Sequence, residues 1–441
     1  MHTLLFYDPG HFHAALTLRV RNPRLAQEVH VYAPPGPDLQ AFLALVQAFN
    51  TRQIDPTNWQ VRVHEGPDAL ERLIAEQRGQ AVVLAGRSDR KLETLARLHS
   101  AGFAVLADKP WITDVTALPF LDKVTASAPL ALDIITARHE VLAGLGRKLA
   151  RIPEIFGAFV VDDSAGPAIE LGFIHHLHKL VNGSPLLRPA WYFDVGVQGD
   201  GVVDIPSHLV DQVQWQLEDA QPFDYTRDVT LHTARRWATA VPRTVFTEIT
   251  GQEAFPPSVR EAITGDTIAG ETLHLPCNTE IDFSLRGVTA RLRSEWFLRE
   301  PPGSGDWHNV TLRGSRALLR VVQGPETGHR AELRVQPHAG GGSLAALREW
   351  VASEQADLPG LTLSPVPESD GTLLRLHVPE ALRTGHETHF AEVLDQFLDH
   401  LDSGTWSATK AAALRMRYTL LARARELALR GESGPLRAES V

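Results

Sequence analysis

The sequence predicts a doubly wound parallel α/β sheet at its N-terminal end, followed by an α+β part with an open, mostly antiparallel sheet. Three observations carry this. Short apolar runs alternate with helix-periodic stretches through the first 135 residues. The residues just after those runs include glycine, acids and a lysine, as the ligand-facing edge of such a sheet requires. The later runs follow one another strand to strand, with turn residues between.

Taken in order, "TLLFY" (3–7), "EVHVYA" (28–33), "WQVRV" (59–63), "AVVLA" (81–85), "FAVLA" (103–107) and "PLALDII" (129–135) read as strands. "DLQAFLALVQAFN", "PDALERLIAEQ" and "RKLETLARLHSAG" carry apolar residues at helical spacing between them. Strict strand–helix alternation makes the sheet parallel and places its ligand crevice beyond the carboxyl ends of the strands. From residue 136, "TIAGETLHL", "TEIDFSLRG", "TARLRSEWFL" and "VTLRGSRALLRVV" alternate in strand fashion. Residues 331–384 add an α+β segment, with "SLAALREWVASEQ" as helix and "TLLRLHV" as strand. The chain closes on helices in 385–441 that pack back on the core. The expected division is therefore 1–135, 136–330, 331–384 and 385–441, with "REPPGSGD" and "HAGGGS" as connectors.

With 441 residues, 43% of them hydrophobic, the chain can bury several cores. A net charge of -10 argues against general binding to nucleic acid or anionic membrane, both of which need basic surface. Cys277 is the single cysteine and cannot close an intrachain disulfide. No signal-peptide pattern or run of about 18 uncharged apolar residues occurs, so the expectation is a cytoplasmic protein with small, neutral partners.

Three stretches carry chemistry. "YDPGHFHA" (7–14) follows the first strand where a dinucleotide turn would read G-x-G-x-x-G, but the glycine positions hold Asp8, Gly10 and His13. Gly10 would let a pyrophosphate approach, with backbone N–H groups of His11, Phe12 and His13 available to it. Gly86 and Arg87 end the fourth strand at the same edge. "VLADKPW" (105–111) ends the fifth strand on Asp108, Lys109 and Pro110, the proline stiffening the backbone that presents the lysine. "GDGVVDIPSHLVDQVQW" (199–215) starts a helix in which Asp204 and His208 lie one turn apart, the histidine at the positive dipole end that favours neutral imidazole. Each stretch alone reads equally well as a turn, a solvated lysine or a helix cap.

Together they resemble the Gfo/Idh/MocA family, whose members include glucose-fructose oxidoreductase and inositol dehydrogenase. The family's fifth Rossmann strand ends in Glu-Lys-Pro, here "ADKP" with Asp108 for the glutamate, and its G-G-G-x-x-x-D-x-x-x-H segment is here "QGDGVVDIPSH". "VTLRGSRALLRVV" and the closing helices also resemble the family, so the likeness covers most of the chain. It implies an NAD(P)-dependent dehydrogenase acting on a secondary alcohol of a sugar, glycoside or cyclitol. Lys109, Asp204 and His208 are then catalytic, and Gly10, His11, Phe12, His13, Gly86, Arg87, Asp108, Lys109 and Pro110 bind the cofactor. Asp38, five residues past the second strand, does not settle NAD against NADP. The resemblance also implies a homo-oligomer, dimer or tetramer, covering an open sheet face expected to be apolar. Alternatives are a lyase or glycosidase that recycles tightly bound NAD, and a non-catalytic nucleotide-dependent binding or regulatory protein.

"GFIHHLHKLVNG" (172–183) reads as a helix whose His175 and His178 share a face. Zinc needs a third protein ligand, and no H-E-x-x-H or cysteine cluster occurs, so no metal is expected. His176, Lys179 and, by family position, Trp191 are instead expected to bind a small polyhydroxylated substrate.

Overall fold

The computed structural model describes residues 1–161, 164–181, 184–265, 270–339, 343–367, 369 and 372–431 of the chain. Outside them lie the start of the run "TIAGETLHL" (267–269), the glycines of "HAGGGS" (340–342), and Asn182 and Gly183. Strands β1 (Leu4–Tyr7), β2 (Glu28–Ala33), β3 (Gln60–Glu65), β4 (Ala81–Leu84), β5 (Ala104–Asp108) and β6 (Ala131–Ile134) form a parallel sheet in the order β3-β2-β1-β4-β5-β6. Between them run α1 (His13–Leu16), α2 (Pro37–Thr51), α3 (Ala69–Glu76), α4 (Lys91–Ser100) and α5 (Leu118–Thr125), followed by α6 (Val141–Ala150) after β6. Up to their carboxyl ends the central strands are apolar and buried, because helices cover both faces. Strand order reverses between β1 and β4, and there the crevice opens.

The second sheet uses β7 (Ile169–His178), β8 (Val229–Pro242), β9 (Thr272–Leu285), β10 (Val288–Arg299), β11 (Trp307–Arg313), β12 (Ala317–Val322), β13 (Glu332–Pro337), β14 (Thr362–Pro365) and β15 (Leu374–His377). Its order is β8-β9-β10-β7-β11-β12-β13-β15-β14, with Ile263–Thr264 added against β9. Strands of the 331–384 segment thus extend this same sheet. Helix α7 (Pro206–Leu217) and the long α10 (Ala408–Arg430) pack together behind it, while α8 (Ser343–Ser353) lies within the added segment. Helix α9 (His389–Ser403) returns to the first sheet, laying Phe390, Val393, Leu394, Phe397 and Leu398 onto the core of Leu4, Phe6, Val31 and Leu106. No helix among the described residues is long and apolar enough to cross a membrane.

Two expectations fail here. Residues 172–178 are not helical: they belong to β7, paired parallel to β10 and antiparallel to β11. Alternate side chains then face opposite ways, so His175 shares a face with Phe173, and His176 lies on the other. The outer face of the open sheet is not apolar either. Cross-strand register sets Asp282, Arg291, Glu170, Arg320, Arg334 and Arg375 on that face. Ion pairs such as Arg291–Asp282 at 2.7 Å and Arg375–Glu332 at 2.8 Å lace it.

Candidate active site

The inner face of the second sheet, the carboxyl ends of the parallel strands and the segment before α9 enclose a cavity of about 850 Å³. Lys109 reaches it from the end of β5 and His208 from the first turn of α7; the Lys109–Pro110 peptide is cis. Asp204 does not sit inside α7 but two residues before its start, where its carbonyl accepts from the Ser207 hydroxyl at 2.6 Å. The preceding Gly201 lies where a Cβ would meet the Cys277 backbone at 2.4 Å, so the glycine-rich lead-in exists to press this turn onto β9. Asp200 in the same lead-in is held by Arg236 at 2.5 Å and Arg425 at 2.8 Å.

Lys109 Nζ donates to Asp204 Oδ1 at 2.5 Å, and both side chains are nearly sealed from water, 8% and 7% exposed. Burial pushes the Asp204 carboxyl up, but the Lys109 charge outweighs it and the group ends below its ordinary value. The Tyr192 hydroxyl donates to the other oxygen of Asp204 at 3.4 Å. His208 is buried, and burial followed by the Lys109 charge holds its imidazole well below the usual range, leaving it neutral. Its Nδ1 has no hydrogen-bond partner among the described residues.

The expected substrate residues separate. Lys179 lines the cavity, His176 does not, and His175 takes its place. Asp306, in the connector read only as a linker, accepts from His175 Nδ1 at 3.1 Å and from Lys179 at 2.8 Å. Trp191 is also absent from the cavity wall; its indole N–H donates to Asp38 Oδ2 at 2.8 Å. Arg188, which sequence reasoning passed over, lies between the rings of Tyr192 and Trp296 and donates to the carbonyls of Leu177 and His176. It makes no ion pair with a carboxylate among the described residues. His308 and His386 add two further imidazoles to the wall. Nothing in local spacing marks these groups, because β7, β11 and the segment before α9 meet only in three dimensions.

The β1–α1 turn differs most from expectation. His11 N–H already donates to the Ala85 carbonyl at 3.0 Å, and Gly10 N–H to Asp8 O at 2.8 Å, so neither is free for a phosphate. A Cβ on Gly10 would stand 2.9 Å from Asp38 Oδ2 and 3.4 Å from the Trp191 ring, and one on Gly86 would stand 2.3 Å from Asp8 O. Gly10 and Gly86 therefore serve close protein packing, and neither they nor Arg87 line the cavity. Asp8 has its carboxyl raised by burial and then by the Asp38 charge, so two acids meet where a pyrophosphate would lie. Ser88 N–H is taken by the Val197 carbonyl at 3.1 Å. As arranged, this edge does not fit a dinucleotide.

The side chains of the turn instead converge on Asp108. His11 Nδ1 lies 2.8 Å and His13 Nδ1 3.1 Å from its carboxylate oxygens, and the Lys109 N–H donates to the same group at 2.9 Å. Burial lowers His11 and holds His13 at about 4, while the two imidazoles outweigh burial at Asp108 and keep it well below its usual value. Beneath them Lys91, buried and pushed down to about 8 by desolvation, donates to the Asp108 carbonyl at 3.0 Å. His11, His13 and Asp108, placed above among nucleotide-binding residues, form a cluster with the donors of a metal site.

Comparison with known proteins bears on the whole chain. Residues 145–429 match the family described as "Putative oxidoreductase C terminal domain". A crystal structure of a putative oxidoreductase from Parabacteroides merdae is 35% identical, covers 98% of both chains and superposes with a TM-score of 0.92. A putative myo-inositol dehydrogenase from Sinorhizobium meliloti shares the fold at 13% identity, covering 99% of this chain and 100% of its own, with a TM-score of 0.53. A levoglucosan dehydrogenase in complex with NADH and levoglucosan does so at 12% identity, 97% coverage of each chain and a TM-score of 0.57. No curated protein sequence matches the chain. With its parallel sheet, its mixed second sheet and these matches, the chain belongs to the Gfo/Idh/MocA-type oxidoreductase family.

Proposed function

We propose that the chain acts on a small polyhydroxylated molecule, the keto or aldehydo form of a sugar, glycoside or cyclitol, by moving a proton at the carbon next to the carbonyl inside this cavity. His208 is the base, Lys109 hydrogen-bonds the substrate oxygen as negative charge develops on it, and Asp204 holds Lys109 in place. The observation that carries the reading is the buried Lys109–Asp204 pair beside a neutral His208 on one wall of a cavity rich in donors. About 850 Å³ lies within the range of about 300–1,000 Å³ seen for small-molecule sites. Lys109 spends one of its three N–H donors on Asp204 and keeps others for substrate. A positioned base of this kind contributes about 10² to 10⁴ in rate, and a buried cation aimed at a developing oxyanion adds to it. His175, Lys179 and Arg188 line the same cavity and supply hydroxyl-binding contacts.

Family membership favours a second reading, a CH–OH dehydrogenase using NAD or NADP with the same three residues. Its cofactor would need Gly10 and the Ser88 N–H uncovered, which requires Trp191 to leave Asp38 and the 195–199 segment to leave Ser88. One experiment separates the two. Deuterium exchange from heavy water into a panel of sugars, keto-sugars and cyclitols is followed by NMR, with and without added NAD or NADP, for wild type, His208→Ala and Lys109→Ala. Exchange without nucleotide that drops at least a hundredfold in both variants supports proton transfer as the primary chemistry. Reduction of added nucleotide by substrate, with no exchange in its absence, supports the dehydrogenase. His208→Ala turning over at the wild-type rate removes both readings.

A further inference from the structure

We propose that His11, His13 and Asp108 bind a divalent transition-metal ion on the cavity wall, at the turn where related folds seat a dinucleotide. The inference deepens the proposed function and rests on that reading only for the location of the reaction.

The donor set is the first argument. Two imidazole nitrogens and one carboxylate oxygen, one from each side chain, all lie within 4.8 Å of one another. Metal–ligand bonds of about 2.0–2.2 Å set neighbouring ligand atoms about 3–3.6 Å apart, and His11 Nδ1 and His13 Nδ1 already lie 2.8 Å and 3.1 Å from the Asp108 oxygens, so small side-chain rotations seat an ion. Three protein ligands leave positions open, as in catalytic rather than structural centres.

Rigidity is the second. His13 is packed edge-on to Phe12 at 4.5 Å and against Phe390 at 4.7 Å, and its ring centroid is 4.1 Å from that of His11. Asp108, 2% exposed, is pinned by the Lys109 N–H. The ligands come from the turn after β1 and the end of β5, and the sheet fixes their separation.

Access is the third. His11 and His13 line the cavity together with Lys109 and His208. His208, nine-tenths buried, brings a further imidazole to the same wall. An oxygen of a polyhydroxylated substrate can complete the coordination there, with Lys109 alongside.

The competing occupant is the fourth. A diphosphate would meet Asp8 and Asp38, two N–H groups already committed to carbonyls, and the Trp191 ring. A cation meets one carboxylate and two imidazoles.

Chelator-stripped full-length chain is titrated with Zn²⁺ in a calorimeter and with Co²⁺ in a visible spectrophotometer. The expected result is one equivalent of each ion, with Co²⁺ giving the visible bands of a site bearing nitrogen and oxygen ligands. His13→Gln and His11→Gln should each weaken binding by at least about tenfold, with circular dichroism confirming the fold. His175→Gln, in the other histidine cluster, should bind as wild type. Absence of stoichiometric binding in wild type overturns the proposal. So does binding unaltered in both turn variants, or lost in His175→Gln. His208→Ala keeps the two proposals apart: it should retain Co²⁺ and lose proton transfer. A chain that exchanges protons through His208 but never binds metal would sink this inference alone.

Discussion

Removing the charge of Asp204 is the most direct test of how the candidate site is built. Asp204→Leu leaves the Lys109 ammonium, 8% exposed, without the carboxylate that now sits 2.5 Å away. Breaking a buried pair from one side costs about 3–5 kcal/mol, because the surviving charge stays desolvated. The lower figure is roughly a hundredfold in the folding equilibrium, at about 1.4 kcal/mol per decade. An unfolding entropy of about 2.1 cal/mol/K per residue, taken over all 441 residues, converts about 3 kcal/mol into a fall of about 3 °C in Tm, and about twice that if half the chain unfolds as a unit. Differential scanning calorimetry measures this for Asp204→Leu, Lys109→Met and the double variant. Replacing both partners removes the stranded charge, so the double variant should return to within about 1 kcal/mol of wild type, with a coupling of several kcal/mol. If the double variant instead loses the sum of the two single losses, the residues are not an interacting buried pair, and the site described around them is wrong.

Other outcomes follow from separate parts of the molecule. Trp111, 1% exposed, stacks on Tyr418 at 5.1 Å and donates to the Ala107 carbonyl, so Trp111→Ala should cost about 3–5 kcal/mol by urea denaturation; a loss under about 1 kcal/mol would contradict this packing. Asp306 is held well below the usual carboxyl range, burial being outweighed by the charge and hydrogen bond of His175 and by Lys179. A depressed folded value means that its stabilising contribution is complete above the unfolded value of about 3.9 and is lost as pH falls through the folded one. Urea midpoints for wild type and Asp306→Asn should therefore differ at neutral pH and converge in acid; a gap that stays constant with pH would remove the ion pair as its cause. If the chain self-associates through the outer face of its second sheet, charge rather than apolar area holds the contact, and light scattering should show dissociation as salt is raised from about 0.01 M to 1 M; an assembly indifferent to salt would place the interface elsewhere.

Periodicity alone determined most of the architecture. The apolar runs that form the inner strands β2, β1, β4 and β5 had to be buried on both faces to be stable, and a parallel sheet with helices on both sides does this, so strand identity and the ligand edge were legible without long-range information. "ADKP" and "VVDIPSH" were legible for the same reason: one ends a strand and the other starts a helix, and both termini face the crevice. Tertiary structure decided the rest. "FIHHLHK" carries polar and apolar residues at a spacing that suits a helix, yet it lies between β10 and β11, whose hydrogen bonding makes it a strand and splits its histidines between two faces. Trp191 meets Asp38 across 153 residues of chain, and His13 meets Asp108 across 95. Local sequence fixes neither distance, since each depends on how one sheet edge folds against another, and those contacts turned a stretch that resembles a phosphate cradle into a closed turn bearing two imidazoles and a carboxylate.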